Sequence, residues 1–159
     1  MSDLKTIVSF NMALARETEN RTLDVQVLES GVAALLKDPG KGWYAVAEKS
    51  LEDGRLIVAG QILVTFEWSD WRNGNFWWLQ SVYVDPDQRQ RHIFRQLYEY
   101  VQSQAQLNQE PICGFRLYVE EKNHLAHQAY ANLRFQETAY HMYEKELSWT
   151  SPSFPQSIV

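Results

Sequence analysis

The dipeptide Asn73-Gly74 stands between two runs rich in β-formers, Arg55–Trp68 and Phe76–Val84. No other feature constrains the fold as tightly. The central residues of a tight hairpin need positive φ, which Asn and Gly tolerate, so the two runs are expected to be antiparallel neighbours. A third run, Trp43–Glu48, follows the breaker Asp38-Pro39-Gly40-Lys41-Gly42. Three such strands must bury a face, and the chain supplies amphipathic helices to cover it. Residues 3–17 place Leu4, Ile7, Val8, Leu14 and Ala15 on one stripe, with Asp3 able to cap the start. Residues 23–36 repeat the pattern with Val25, Leu28, Val32 and Leu35, and Asp24 lies in the first turn.

Asp85-Pro86-Asp87 stops the third strand, and Ile93, Phe94, Leu97, Tyr98 and Val101 predict a helix over 90–107. Ile112–Val119 is nearly apolar, as a strand buried on both faces would be. Asn123 is placed to cap a helix reaching Leu133, and Gln136–Trp149 reads as a final strand. The order predicts an α/β fold: a mixed, mostly antiparallel central sheet flanked by helices on both faces. Residues 1–150 read as one domain and residues 151–159, with Pro152 and Pro155, as a C-terminal tail.

Charge and cysteine content narrow the function. The net charge of −5 argues against a non-specific nucleic-acid partner. The longest nearly apolar run, Ile57–Phe66, is interrupted by Gln61 and is about half a membrane span. No membrane partner is expected, and the N-terminal residues lack a signal-peptide pattern. Cys113 is the only cysteine, which rules out a disulfide framework and a multi-cysteine zinc site and fits a cytoplasmic location. It reads as an inert small hydrophobe in a buried strand. His124 and His127 have Glu120 and Glu121 upstream but no further ligand in view, so no metal is expected.

Two clusters carry chemistry. Arg89, Arg91 and Arg95 surround a predicted helix N-terminus, where N–H groups and the helix dipole favour an anion. Taken alone, such arginines are more often a solvated basic turn. Trp68, Trp71, Trp77 and Trp78 gather at the hairpin, and alternation sends Trp77 and Trp78 to opposite faces. Most of these rings read as packing. Any remainder would form an aromatic wall beside Glu67 and Asp70, suited to a cationic amine and joined by Glu17 and Glu19.

The segment from Ser81 through Tyr98, SVYVDPDQRQRHIFRQLY, resembles the cofactor motif of the GCN5-related N-acetyltransferase (GNAT) family. Leu117–Asn123, with Ala126, Tyr130, Leu133 and Phe135, resembles the family's second motif. Together they cover roughly residues 76–136 in matching order. A Glu-rich break after the first helix, a Val-Ala-Glu strand and an Asp and Trp before the core strand resemble the diamine- and polyamine-acetylating branch. Gln90, His92 and Phe94 stand where the family usually has glycines, Arg134 replaces the glycine of a Leu-Gly-Phe, and the family's first strand has no counterpart.

The resemblance implies a GNAT-like sheet and acetyl-CoA as co-substrate. The thioester carbonyl would meet an N–H of Val82 or Val84, with Tyr83 between them. The pantetheine arm would lie where this strand splays from the next. Arg89, Gln90, Arg91, His92, Ile93, Phe94 and Arg95 would surround the pyrophosphate, and Asn123 would contact the coenzyme. Tyr130 would protonate the departing thiolate. Gln80 occupies the branch's usual acid position, leaving Glu67 and Asp70 as the nearest bases; Glu17, Glu19, Asp70, Trp71 and Gln80 would face the acceptor. The implied reaction is direct attack of a small-molecule primary amine on the thioester. The alternative is a non-catalytic interaction module of the same fold. The missing first strand leaves a sheet edge that a homodimer would cover.

Overall fold

The computed structural model describes residues 3–145 and residue 147, and divides after His124 into two compact units. The first unit runs α1 (Leu4–Glu19), α2 (Val25–Lys37), β1 (Trp43–Ser50), β2 (Leu56–Ser69), β3 (Gly74–Val84), a 3-10 turn at Pro86–Gln88, α3 (Ile93–Leu107) and β4 (Ile112–Arg116). The strands stand in the order β1-β2-β3-β4; the first three are antiparallel, and β4 is parallel to β3. This is the mixed, mostly antiparallel sheet expected from the sequence.

Local chemistry sets the boundaries. Asp24 is the N-cap of α2, its Oδ1 accepting the N–H groups of Gln26 and Val27 at 2.8 and 3.1 Å. Asp3 stands at the N-cap of α1 without making a side-chain capping bond. The hairpin is present, but its loop has four residues, Asp70–Asn73, closed by the Ser69–Gly74 pair. Only Asn73 takes a left-handed φ, +47°. Gly74 serves a different purpose, because a Cβ there would lie 2.6 Å from the Pro111 carbonyl oxygen and 2.8 Å from Cys113 Sγ.

Helices cover both faces. Ile7, Val8 and Val32 from α1 and α2 pack with Tyr44 and Val46 of β1. On the other face Trp77, 5% exposed, meets Trp43 and Phe115 edge-on, while α3 lays Tyr98 on Phe115 and Tyr100 on Trp43. Trp77 and Trp78 do point to opposite faces: Trp78 bonds Glu67, away from the Trp77 cluster.

A bulge breaks the parity of β3. Leu63 pairs with Gln80, but Gln61 pairs with Tyr83, so Ser81 and Val82 together oppose Ile62. Ser81 has φ +45°, unusual for a residue with a Cβ. In a regular strand Gln80 and Tyr83 would face opposite sides. The extra residue brings Tyr83 onto the α1 face, where its ring meets Phe10 at 5.0 Å.

β4 differs from expectation. It ends at Arg116 rather than Val119, and all five of its residues are half-buried because it stands at the edge of the sheet. Cys113 is half-buried too, at the register slip where Ile112 pairs with Asn75 and Gly114 with Phe76.

The second unit begins at Leu125, the second residue of α4 (His124–Asn132). Tyr130 packs edge-on against Phe135 with ring centroids 6.0 Å apart, and the Phe135 N–H returns to the Tyr130 carbonyl across Arg134, whose φ is +66°. Residues 136–145 form no strand, which corrects the expectation over Gln136–Trp149; Glu146, Ser148 and Trp149 lie outside the described residues, as does the tail 151–159. Alternating side chains make a strand only when a ladder partner is present, and Tyr140, Met142 and Tyr143 stay exposed. Among the described residues no helix is long and apolar enough to cross a membrane.

Candidate active site

β3 has two different edges toward β4. From Asn75 to Trp78 the strands pair; beyond the Trp78–Arg116 pair β4 stops while β3 continues to Val84. The splay implied by the resemblance is therefore present as an open edge over Leu79–Val84. Asp85 donates its N–H to the Ala59 carbonyl of β2 at 3.0 Å, so Val84, one residue earlier, turns its polar groups to the open side. There the Val84 carbonyl accepts from Arg89 Nε at 3.0 Å.

The loop into α3 keeps the backbone that glycines would give. Gln90 has φ +62°, and His92, the N-cap of α3, has φ +60° and ψ 17°. Both side chains are exposed, as are those of Arg91 and Arg95, so the loop accepts Cβ atoms by pointing them outward. Ile93 is buried and anchors the first turn, with Phe94 half-buried beside it. Each left-handed non-glycine residue costs about 1 kcal/mol, and such strain gathers at ligand sites. The initial N–H groups of a helix have no intrahelical acceptor.

Arg89 is occupied differently from expectation. Its Nη2 is 2.6 Å from Glu17 Oε2, and its guanidinium lies 5.6 Å from the Tyr83 ring centroid. Tyr83 donates its hydroxyl to Glu17 Oε1 at 2.9 Å. Partial burial alone would raise the Glu17 carboxyl; the bonds from Arg89 and Tyr83 outweigh it and hold Glu17 below its ordinary value. Burial, reinforced by the Glu17 carboxylate, pushes the Tyr83 phenol up to about 12. Arg89 therefore ties the end of α1 to β3, and Arg91 and Arg95 are the arginines of the loop without an ion pair among the described residues.

Glu67 is held as a counter-ion. Its oxygens accept from Arg116 Nη1 at 2.7 and 2.8 Å and from Trp78 Nε1. Burial pushes its carboxyl up, but these donors prevail and lower it. Arg116 also lies 3.8 Å from the Phe76 ring centroid. A carboxylate so engaged is a poor proton acceptor. Gln80 donates to Thr65 Oγ1 at 2.8 Å.

The expected acceptor wall does not form as one site. Glu17 lies at the Tyr83 end of β3, while Asp70 and Trp71 occupy the hairpin tip, separated by about 30 Å of strand at ~3.3 Å per residue. Asp70 accepts from the Trp71 N–H at 2.9 Å, Trp71 is 87% exposed, and Glu19 pairs with Arg21. Asn123 precedes α4 and donates its N–H to Glu120. Tyr130 is half-buried in α4, and burial raises its phenol, which stays protonated at neutral pH. Sequence reasoning missed three contributors: the Ser81 bulge, Arg116 and the Asn11–Gln61 contact. Only Gln61 had left a signal, as the polar interruption of an apolar run.

An open strand edge running toward a helix N-terminus with a basic flank defines a protein that can lay an extended anionic ligand along its sheet. The comparisons make the class specific. Residues 8–135 match the acetyltransferase (GNAT) family model, and the chain belongs to that family. It is 45% identical to a possible acetyltransferase from Clostridium difficile 630 over 94% of each chain, with a TM-score of 0.80. A predicted acetyltransferase from Clostridium acetobutylicum, solved with acetyl-CoA, shares the fold at 16% identity, with 91% of each chain covered and a TM-score of 0.70. Glucosamine-6-phosphate N-acetyltransferase from Arabidopsis thaliana shares it at 14% identity, covering 91% of this chain and 93% of its own, with a TM-score of 0.64. No curated protein matches the chain significantly. The protein is accordingly a GNAT acetyltransferase, with acetyl-CoA as the family's usual co-substrate.

Proposed function

We propose that the chain transfers the acetyl group of acetyl-CoA to a primary amine of a small, cationic molecule by direct attack on the thioester. The observation that carries this reading is the left-handed backbone at Gln90 and His92, which keeps a phosphate-binding loop without glycines. Arg91 and Arg95 flank the pyrophosphate, the Val82–Val84 edge receives the pantetheine and thioester, and Asn123 contacts the coenzyme. The net charge of −5 favours a cationic acceptor.

In this reading Tyr130 donates a proton to the departing thiolate, consistent with a phenol whose burial keeps it protonated. Glu67 is withdrawn as the base because Arg116 and Trp78 hold it ionised, and Asp70 because it lies at the remote hairpin tip. Gln80 cannot take a proton. The amine is therefore deprotonated by solvent, and the rate rises with pH toward the alkylammonium value near ~10. A diamine or polyamine acceptor follows from the sequence resemblance to that branch. A second copy covering the sheet edge left by the missing first strand gives a homodimer, seen by light scattering as about twice 18.6 kDa.

The test is a panel of primary amines with acetyl-CoA and detection of released thiol. Amine-dependent release supports the reading. Acetyl-CoA binding without release for any amine would overturn it in favour of an interaction module.

A further inference from the structure

Gln61 is 0% exposed in β2, and its amide serves more than packing. Nε2 donates to Asn11 Oδ1 of α1 at 2.7 Å and to the Ser81 carbonyl of β3 at 3.3 Å. Asn11, itself buried, donates from Nδ2 to the Tyr44 hydroxyl at 3.0 Å. Gln61 Oε1 is buried with no hydrogen-bond partner among the described residues. A methionine would fill this volume with no orphaned acceptor of its own but would strip Asn11 Oδ1 and the Ser81 carbonyl of their donor, so what the amide adds over packing is those two bonds.

What the amide grips is the bulge. Ser81 carries the left-handed φ, a conformation that an L-residue keeps only when its surroundings impose it. The bulge turns Tyr83 toward Glu17 and leaves Val84 facing the open edge. If β3 relaxed to a regular ladder, both would change sides. We propose that Gln61 is a positioning residue: anchored on Asn11 and gripping the Ser81 carbonyl, it fixes the β3 bulge and thereby the register at which Val82–Val84 receive the thioester. The proposal rests on the acetyl-CoA reading above.

The test compares wild type, Gln61→Met and Val64→Ala, the last a buried β2 control that removes volume without touching the bulge. Two quantities are read: amide hydrogen exchange over Ser81–Val84 without ligand, and acetyl-CoA affinity by calorimetry. Gln61→Met is expected to accelerate exchange in that segment roughly tenfold and weaken acetyl-CoA by a similar factor, the scale of one lost hydrogen bond. Val64→Ala should leave both near wild type after correction for global stability. Equal behaviour of the two variants overturns the role of Gln61. If Gln61→Met does not fold, Asn11→Leu removes the anchor and must reproduce the same two changes. A wild type that binds no acetyl-CoA overturns the acetyltransferase reading instead, and the ligand-free exchange still judges the grip on the bulge.

Discussion

The two halves of β3 are built on opposite terms. From Asn75 to Trp78 the strand is paired on both sides, packs Trp77 against three aromatic rings, and binds Glu67 to Arg116 and Trp78. From Leu79 to Val84 it is paired on one side only among the described residues, carries a strained Ser81, and leads into two left-handed residues, Gln90 and His92. The first half spends its contacts on stability. The second leaves backbone groups unspent and keeps strain, the condition in which a ligand can gain binding energy. In the proposed acetyl-CoA reading, function on this strand begins where its second neighbour ends.

The largest expected effect lies in the paired half. Trp77→Ala should destabilise the fold by about 3–5 kcal/mol, the usual cost of emptying a buried aromatic site, as read from urea unfolding. If it instead lowered activity at full stability, the division between the halves would be wrong. Next comes Tyr130→Phe, which removes only the phenolic proton. A fall in kcat on the order of 10²-fold with unchanged acetyl-CoA affinity is expected. Activity within a few-fold of wild type would make Tyr130 a packing residue against Phe135.

Smaller effects sharpen the contrast. His92→Gly relieves a left-handed backbone and should raise stability by up to about 1 kcal/mol while leaving acetyl-CoA binding intact or better. Glu17→Gln and Arg89→Ala remove the same half-exposed contact, so their double-mutant coupling should stay below about 1 kcal/mol. A loss of acetyl-CoA affinity in Arg89→Ala that Glu17→Gln does not share would show that Arg89 meets the coenzyme independently of Glu17. Acid should weaken both halves alike. Glu17 and Glu67 have lowered folded-state values, so their contribution is complete above the unfolded value near ~4.3 and drains away as pH falls through the lower folded one. A urea midpoint that stayed constant from pH 6 down to about 3 would contradict both ion pairs.

Much of the fold was legible because periodicity and breakers speak locally. Helices α1 to α3 and strands β1 to β3 lie within a few residues of their expected places. Asn73-Gly74 located the hairpin but misled on its loop, since Gly74 answers to Pro111 and Cys113, thirty-seven and thirty-nine residues away in the sequence. The loop into α3 was legible from its motif, and its left-handed backbone was not, because Gln90 gives no propensity for it and the modest enrichment of His there does not mark a position. The wall joining Glu17 to Asp70 failed because nearness to the hairpin in sequence says nothing about which end of a strand a residue reaches. The bulge was illegible for the same reason: one inserted residue at Ser81 changes the side of everything after it without altering composition.

The sheet order also bears on how the chain assembles. β1, β2 and β3 lie side by side in the order of synthesis, each turning directly into the next. β4 reaches its place only after α3 has closed the crossover, and it then gains just four paired positions. Loop-closure entropy is spent before that short parallel ladder returns anything. Docking of β4 should therefore be a late event in refolding, and its release an early one in unfolding. The mouth of the proposed coenzyme cleft would then be the seam completed last, while the meander behind it already holds its shape.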